Sequence, residues 1–352
     1  MKTDESGDIR KGEGIDNRSL KTYLKKELGL EGDISISQFP SGFSNLTYLV
    51  KCGANEYVLR RPPFGANIKS AHDMSREFRF LKALEKPFKK VPKPVIYCED
   101  ESVIGAPFYL MQKLNGVILR GFMKGDQIPK PSSMTVIADS LVETLAELHA
   151  IDIQKSGLGE MGRPDGYVGR QIKGWSERYI KSQTDQVDEI DEVMRWISQN
   201  QPTESEAALI HNDFKYDNLI LDPYDLSKVI GVLDWEMATI GDPLMDLGTT
   251  LAYWIESCDP EIMINMNISS THWEGNPTRA QVAEQYSKRT GRSLENITFY
   301  YVFGLFKNSV IVQQIYARYK AGHTSDPRFT NLIHAVRACG MMASRAIKLG
   351  KI

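Results

Sequence analysis

The sequence lacks the features that mark several large classes of protein. Its 43 lysines and arginines are balanced by 45 aspartates and glutamates, and a net charge of −2 is not the basic excess of a general nucleic-acid binder. No run of about 18 or more apolar residues occurs, so we expect neither a membrane-spanning helix nor a membrane partner. Hydrophobic residues still make up 41% of the chain, which suffices to bury a core and excludes disorder as the main state.

Cysteine and histidine are scarce and dispersed. The four cysteines show no CxxC spacing and are too few for a disulfide scaffold, so we expect reduced thiols and a cytoplasmic location. None of the six histidines lies in HExxH or HxxxH spacing, so a histidine-based metal site is not predicted. Residues 1–14 contain no apolar segment, and we expect a flexible polar tail there rather than a secretory signal.

Three common enzyme motifs are also absent. The chain has no GxxxxGK[ST] sequence, which excludes a P-loop enzyme, and no GxGxxG follows a predicted strand. The GFSNL sequence lacks the second glycine of a nucleophile elbow. Any nucleotide chemistry must therefore depend on other residues.

The first 115 residues show the pattern of short strands joined by turns, with one helix inserted. Asp33–Phe39 alternates apolar and polar residues, as a half-buried strand does. Apolar residues recur at helical spacing over Ser70–Glu85, which predicts the helix. Strands joined by short turns favour an antiparallel sheet. The five predicted strands are Asp33–Phe39, Leu46–Cys52, Glu56–Arg61, Val95–Tyr97 and Pro107–Leu114.

From residue 116 onward the pattern is mainly helical. Chains of this length usually divide into two parts. We therefore predict an α+β fold in which residues 1–115 form a small antiparallel-sheet lobe and residues 116–352 form a larger, mostly helical lobe. The predicted helices are Ser133–Ala150, Asp188–Gln199, Leu244–Ser257, Arg279–Gly291, Leu294–Lys320 and Phe329–Leu349.

Two neighbouring stretches concentrate the residues that could carry chemistry. LIHNDFKYDNLILDP contains Asp213 and Asn218, and an apolar strand in VIGVLDWEMATIGDPLMD leads into Asp234. Phosphoryl transfer needs a carboxylate that orients the attacking hydroxyl and oxygen ligands for magnesium, which these three residues could supply. Taken singly, Asp213 and Asn218 are equally compatible with ordinary loop turns.

HNDFKYDN, followed 16 residues after Asn218 by Asp-Trp, resembles the catalytic loop and metal-binding motif of the aminoglycoside phosphotransferase family. The resemblance extends from about Ile34 to about Leu332 and implies a protein-kinase-like, two-lobe fold. It implies that Asp213 is the catalytic base, that Asn218 and Asp234 bind Mg²⁺, and that ATP is the phosphoryl donor. It also implies that His211 supports the loop and that Asp246 is a structural buttress.

The same resemblance assigns nucleotide-binding roles in the N-terminal lobe. SGFSN occupies the place of the loop that covers the phosphates, through Ser41, Gly42 and Ser44, although a plain hairpin turn would look the same. The third strand reads YVLRR, so Arg60 stands where the family usually has a lysine. Arginine is always charged and can bind phosphate in a bidentate manner. Glu77 on the inserted helix is the expected ion-pair partner, its alternative being a solvated helix carboxylate.

Further contacts to the nucleotide are expected from the third predicted strand and from the end of the fifth. Strand alternation puts Val58 on the same face as Arg60, where it would contact the adenine. Gln112 and Leu114 belong to the segment that would form the hinge beside the adenine.

The charge distribution bears on the acceptor. Residues 281–352 contain 11 lysines and arginines against three acidic residues, a net charge of +8, which leaves −10 for residues 1–280. Positive charge favours an anionic acceptor, whereas an enzyme for cationic aminoglycosides is expected to present acids. The alternative is that these cations face solvent. The cations are Arg289, Arg292, Lys307, Arg318, Lys320 and Arg328, together with His323.

Several stretches resemble the branch of the family that is fused to acyl-CoA dehydrogenases in some animals, namely YVLRRPP, SVIGAPFYLM, RQIKGW and QQIYARYKAG. This resemblance implies a small-molecule hydroxyl acceptor that is anionic, such as a hydroxyacyl-CoA. Aminoglycoside, choline and homoserine-type kinases remain alternatives, as does a nucleotide-binding pseudo-enzyme without turnover. A protein kinase is disfavoured because DFG, APE and an activation segment are absent.

Overall fold

A five-stranded antiparallel sheet dominates the first part of the chain. Its strands are β1 (Ile34–Gln38), β2 (Leu46–Cys52), β3 (Asn55–Arg61), β4 (Pro94–Cys98) and β5 (Phe108–Gln112). Their order in the sheet is β1-β2-β3-β5-β4, so β3 lies at the centre and pairs with β2 and β5. The predicted antiparallel sheet is confirmed, and each strand lies within two residues of its predicted bounds.

The computed structural model describes residues 5–40, 45–63, 73–203, 206–266, 269–324 and 326–352. The chain divides into two units, Met1–Ile118 with Leu219–Ala238, and Leu119–Asn218 with Thr239–Ile352. The chain thus leaves the first unit and returns to it once. The assignment of residues 1–115 to nucleotide binding and of residues 116–352 to acceptor binding concerns function and stays a prediction.

A helix that the sequence pattern did not predict precedes the sheet. This helix, α1 (Asn17–Leu28), begins at Asp16, whose carboxylate accepts hydrogen bonds from two backbone N–H groups, and ends at the left-handed Gly29. Its Leu20 and Leu24 are buried in the apolar core on one side of the sheet. Residues 7–13, expected to be a tail, hydrogen-bond to β1 through Gln38.

The predicted inserted helix is α2 (Met74–Leu84), which is capped by the Asp73 side chain. Phe80, Leu81 and Leu84 are buried, and the helix packs against β4, β5 and the turn at residues 235–237. This packing presents Glu77, on the same buried side, to the sheet.

Four short strands lie in and beside the segment that returns to the first unit. They are β6 (Ala208–Ile210), β7 (Leu219–Leu221), β8 (Val229–Val232) and β9 (Thr239–Gly241). In the first unit β7 pairs with β8, and in the second β6 pairs with β9. Gly116 packs directly on β7, because a Cβ there would lie 2.3 Å from an Ile220 methyl group.

Helices form most of the second unit. They are α3 (Pro131–His149), α4 (Tyr167–Ser182), α5 (Asp188–Gln199), α6 (Pro243–Tyr253), α7 (Glu261–Asn265), α8 (Arg279–Thr290), α9 (Ile297–Lys320) and α10 (Leu332–Leu349). The long helix α9 packs on α4, α5, α6 and α10, and every residue from Phe299 to Val310 on it is buried. No helix in the described part of the chain is long and apolar enough to cross a membrane.

The backbones of α6 and α9 approach each other closely at two glycines. A Cβ on Gly304 would lie 2.4 Å from the Gly248 carbonyl oxygen, and one on Gly248 would lie 2.2 Å from that of Tyr300. Any side chain at either position would force the helices apart. The two glycines therefore set the spacing of the helices that flank the loop after β6.

Candidate active site

Arg60 is the centre of a buried ion-pair cluster in the first unit. Its Nη1 lies 3.0 Å from Glu77 Oε1, and its Nη2 lies 2.9 Å from Asp234 Oδ1. Glu77 is 1% exposed and Arg60 is 7% exposed. Although burial opposes the charge of Arg60, the carboxylates of Glu77 and Asp234 outweigh it and raise the pKa of the guanidinium. The structure thus brings together three residues that the sequence predicted as site residues.

Asp234 adopts a backbone conformation that is uncommon outside glycine. It lies two residues beyond β8 with φ 67° and ψ 62°, in the left-handed region. The next residue, Trp235, is fully buried, donates from its indole nitrogen to the Val232 carbonyl at 2.9 Å, and packs edge-on against Phe88. Such conformations persist where the surroundings over-determine them, and they cluster at functional sites. The buried tryptophan is one such constraint.

Two polar contacts that the sequence analysis missed fix the turn after Asp234. Asn45 donates to the Glu236 carboxylate at 2.8 Å, and Arg76 on α2 donates to the backbone carbonyls of Glu236 and Ala238. Asn45 ends the SGFSN sequence and Arg76 precedes Glu77, but nothing local to either residue indicates a partner about 160 to 190 positions away. Through Arg76 the turn is attached to the same helix that carries Glu77.

The other predicted nucleotide-binding residues occupy the central strands and the segment after β5. Val58 is buried on β3 and stands opposite Met111 on β5. Gln112 ends β5, and Leu114 packs over Gly231 of β8, where a Cβ would lie 2.4 Å from the leucine side chain. Ser41, Gly42 and Ser44 lie outside the described residues, so the roles assigned to this group stay predictions.

In the second unit, Asp213 and Asn218 are joined by direct hydrogen bonds. The Asn218 Nδ2 donates to both the backbone oxygen and Oδ2 of Asp213, each at 2.8 Å. The second carboxylate oxygen, Oδ1, accepts from Lys215 Nζ, also at 2.8 Å. Lys215 stands two residues after Asp213 within the motif, and no role was predicted for it.

The pKa values of this group follow from its burial and its cations. Burial alone would raise the pKa of Asp213, but Lys215, aided by Lys307, lowers it. Burial disfavours the charge of Lys215 in turn, yet Asp213 raises the pKa of the ammonium. The ammonium also lies 4.4 Å from the centre of the Tyr253 ring. We therefore expect an ionised Asp213 at neutral pH.

The backbone before Asp213 is held by buried groups. The Asp246 carboxylate on α6 accepts from the backbone N–H of His211 at 2.6 Å and from that of Asn212 at 2.7 Å. His149 binds the same carboxylate through Nε2 and contacts the Tyr286 hydroxyl through Nδ1. Asp246 is fully buried, and the predicted role of a buttress that ties down the loop is confirmed by these contacts.

A lysine from α9 completes the support of this loop. Lys307 Nζ donates to the backbone oxygen of Asn212 at 2.5 Å. Lys307 was predicted only as one of several basic residues that favour an anionic acceptor. His211 contributes differently, because its Nδ1 accepts from the backbone N–H of Asp213 at 3.3 Å, which agrees with the supporting role expected for it.

The residues predicted to take part in phosphoryl transfer are divided between the two units. The first holds Arg60, Glu77 and Asp234, and the second holds Asp213 and Asn218. A cation that can bind phosphate, a carboxylate that can orient a hydroxyl, and hard oxygen donors for a divalent metal are the parts that phosphoryl transfer requires.

Comparisons with known proteins agree with this chemistry. The model of the phosphotransferase enzyme family, APH, matches residues 35–282. Acyl-CoA dehydrogenase family member 11 of Rattus norvegicus is 36% identical over 345 residues, which cover 94% of this chain and 43% of that protein. The chain thus spans less than half the length of the curated relatives it matches.

Two solved structures define the fold relationship. A Ralstonia eutropha protein, described provisionally as an aminoglycoside phosphotransferase, is 30% identical with a TM-score of 0.77, and the match covers 94% of this chain and 99% of that one. A thermostable mutant of aminoglycoside phosphotransferase APH(4)-Ia, in complex with AMP-PNP and hygromycin B, is 16% identical with a TM-score of 0.60 over 93% and 98% of the two chains. The second match concerns the fold alone. Because the family model matches well over half of the chain, the chain belongs to the APH phosphotransferase family, whose fold is that of the protein kinases.

Proposed function

We propose that this chain transfers the γ-phosphoryl group of ATP to a hydroxyl group of a small anionic molecule, with a hydroxyacyl-CoA as the acceptor class. The family supplies the general reaction, phosphoryl transfer to a small molecule. The observation that carries the choice of acceptor is the placement of two lysines, Lys215 and Lys307, at the loop that carries Asp213.

Arg60 is the proposed ligand of the ATP phosphates. Its Nε is buried and has no hydrogen-bond partner among the described residues, so it is a donor that no described protein group satisfies. Glu77 holds the opposite side of the guanidinium and fixes its orientation. A fork of fixed N–H donors suits phosphate oxygens. Val58, Gln112 and Leu114 are proposed to contact the adenine, and Ser41, Gly42 and Ser44 the phosphates.

Asn218 and Asp234 are the proposed ligands of Mg²⁺. Asn218 donates through Nδ2 to Asp213, so its amide oxygen is directed away from that carboxylate. Asp234 is bound through Oδ1 to Arg60 and its side chain is 30% exposed, which leaves the carboxylate accessible. Both offer the hard oxygen donors that Mg²⁺ prefers, and the donor set therefore fits the ion. When bound, the ion would neutralise charge on the phosphates.

Asp213 is the proposed catalytic base. Its carboxylate is held on one oxygen by Lys215 and on the other by Asn218, so its direction is defined before an acceptor binds. The acceptor oxygen forms a bond to the γ-phosphorus, the bond from that phosphorus to ADP breaks, and the acceptor proton passes to Asp213. Because the transition state is loose, orienting the hydroxyl contributes more than strong basicity, which suits a carboxylate of low pKa.

The basic C-terminal residues do not all bear on the acceptor. Arg289 pairs with Asp139, Arg328 pairs with Asp326, and Arg292 donates to the backbone of His149. Lys307 differs, because it lies beside the residue that precedes Asp213. The net charge of +8 counted over residues 281–352 therefore overstates the positive charge near the base.

Two cations contact the loop that carries the base, and a third, Arg178, shares the Trp175 ring with one of them. Lys215 contacts Asp213, Lys307 contacts Asn212, and Lys307 and Arg178 lie 5.8 and 4.5 Å from the Trp175 ring centre. Such a group favours an acceptor with negative charge. The name of the curated relatives supports the choice of an acyl-CoA, which carries phosphates and can carry a hydroxyl group on its acyl chain.

An ADP-release assay with ATP and Mg²⁺ tests the proposal. The panel comprises hydroxyacyl-CoAs of different chain length and hydroxyl position, the same acyl-CoAs without the hydroxyl group, choline, homoserine, sugars and aminoglycosides. We expect acceptor-dependent ADP release with hydroxyacyl-CoAs and none with the non-hydroxylated controls, together with mass-spectrometric detection of the phosphorylated product. Turnover of cationic aminoglycosides without turnover of anionic hydroxy compounds would falsify the assignment of the acceptor.

A further inference from the structure

The peptide that precedes the proposed base has a left-handed conformation and is held from both sides. Asn212 has φ 65°, in the left-handed region that asparagine adopts more readily than most non-glycine residues do. Its N–H donates to Asp246 at 2.7 Å, its C=O accepts from Lys307 at 2.5 Å, and its side chain hydrogen-bonds to the Tyr167 hydroxyl. These contacts fix the conformation of Asn212 together, and Lys307 supplies the contact to the carbonyl.

The two groups that hold this peptide come from adjacent helices whose spacing is fixed. Asp246 lies on α6 two residues before Gly248, and Lys307 lies on α9 three residues after Gly304. These are the two glycines at which the backbones of α6 and α9 meet. The spacing between the acceptor on Asp246 and the donor on Lys307 therefore depends on a helix contact that tolerates no side chain.

We propose that Lys307 is a positioning residue: its ammonium group holds the Asn212 carbonyl, which fixes the direction of Asp213, and phosphoryl transfer slows when this ammonium loses its proton. The proposal rests on the proposed function, because Asp213 must act in the reaction for its direction to affect the rate. Lys307 does not itself touch the reacting atoms in this account.

The charge of Lys307 is finely balanced. Burial disfavours the charged form of Lys307, as do the positive charges of Lys215 on the loop and Arg178 on α4. The carboxylates of Asp213 on the loop and Asp246 on α6 favour the charged form. Together these effects lower the pKa of Lys307 to about 8. The group is therefore charged below about pH 8 and neutral above it. A neutral amine is a weaker donor to a carbonyl than an ammonium, so the hold on Asn212 loosens as the pH rises.

Three variants and a pH profile test the proposal in the full chain. Lys307→Gln replaces the ammonium by a shorter neutral donor, Lys307→Met removes the donor, and Lys307→Arg keeps a positive charge that does not titrate in this range. Lys348→Gln, at an exposed position on α10, is the matched control. We expect kcat to fall by about 10²-fold in Lys307→Met, with an almost unchanged KM for ATP, because a misplaced catalytic group costs this much.

The wild-type pH profile should show a decrease of kcat between about pH 7 and about pH 9, which Lys307→Arg should lack. A wild-type kcat that stays constant over this range would overturn the proposal even if the variants failed to fold. A kcat of the Lys307→Met variant equal to that of the wild type would also overturn the proposal. An effect confined to the KM for ATP would also contradict it.

Hydrogen exchange gives a readout that does not depend on turnover. The N–H groups of His211 and Asn212 are bound to Asp246, so loss of the carbonyl contact should speed exchange in the peptide covering residues 209–218 of Lys307→Gln but not of Lys348→Gln. Unchanged exchange would refute the structural part of the proposal. If no acceptor is turned over while exchange changes as expected, the proposed function fails and the positioning contact stands.

Discussion

Asn218 donates its side-chain amide to both the backbone oxygen and the carboxylate of Asp213, at 2.8 Å in each case. One predicted metal ligand thus orients the predicted base. The same amide cannot rotate to offer its nitrogen to another group without releasing Asp213. A defect at Asn218 is therefore expected to combine loss of metal affinity with misorientation of the base.

Substitution Asp213→Ala should lower kcat by about 10²–10⁴-fold, the range for loss of a positioned base. The KM for ATP should change little, because Asp213 contacts Lys215 and Asn218 rather than the residues proposed to bind the nucleotide. Steady-state kinetics with the best acceptor of the panel, with a thermal melt to verify folding, would test this. Near-normal turnover would remove Asp213 from the mechanism.

Substitution Asn218→Ala should raise the Mg²⁺ concentration needed for half-maximal activity and also lower kcat at saturating Mg²⁺. The first effect reflects the lost oxygen donor, and the second reflects the loss of both hydrogen bonds to Asp213. A Mg²⁺ titration of the initial rate separates the two. If saturating Mg²⁺ restored the activity of Asn218→Ala completely, this would show that Asn218 does not orient the base.

Substitution Arg60→Met should both destabilise the first unit and weaken nucleotide binding. It leaves the buried Glu77 carboxylate without its cation, and breaking a buried ion pair in this way costs about 3–5 kcal/mol. Arg60→Lys restores the residue usual in the family and should keep more of both properties. Thermal melts with and without ATP and Mg²⁺ would measure both effects, and equal melting temperatures for Arg60→Met and the wild type would contradict the prediction.

Long, regular patterns made much of the fold predictable. Strand β1 alternates apolar and polar residues, and α3 and α5 carry apolar residues at helical spacing, so their positions follow from the sequence. Helix α9 is instead buried on all sides along its first half. Three helices escaped prediction, namely α1, α4 and the five-residue α7. Signals for two of them are present: Asp16 caps α1, and α4 buries Val168, Ile172, Trp175 and Tyr179 at helical spacing. Strands β6 to β9 are only three or four residues long, too short for a local pattern to show their pairing.

The site was predictable where its residues are close in sequence. Asp213 and Asn218 belong to one motif, and their hydrogen bond spans five positions. Lys307 lies 95 positions from Asn212, and only the packing of α9 on α6 brings it to the loop. The contact of Arg60 with Asp234 spans 174 positions. The resemblance to a family pattern indicated each of the two as a site residue, but their contact was not predicted.

The free energy of unfolding should decline below pH 6.5 because of His149. Burial, partly offset by Asp246, lowers the pKa of His149 below its ordinary value of about 6.5. Between the lowered value and about 6.5 the unfolded chain binds more protons than the folded one, so stability falls as the pH decreases through this window. Urea unfolding of His149→Gln should show a flatter pH dependence there, with about 1–3 kcal/mol lost at higher pH through the disturbed contacts to Asp246 and Tyr286. His334→Gln, at an exposed position, should keep the wild-type slope; the same slope in His149→Gln would contradict the account.

Alanine substitutions of Gly304, which lies in the contact between α6 and α9, and of Gly174, which lies outside it, should have opposite effects on stability. A Cβ on Gly304 would lie 2.4 Å from the Gly248 carbonyl oxygen, so Gly304→Ala must displace backbone and should destabilise the chain by about 1–3 kcal/mol. A Cβ on Gly174, within α4, meets nothing within 4 Å, so Gly174→Ala should stabilise it by about 0.5–1 kcal/mol through the lower entropy of the unfolded chain. Because the displaced helices carry Lys307 and Asp246, Gly304→Ala should also lower kcat, whereas Gly174→Ala should leave it unchanged. Chemical denaturation and kinetics of the two variants measure both effects, and a Gly304→Ala protein as stable as Gly174→Ala would show that the glycine contact does not set the helix spacing.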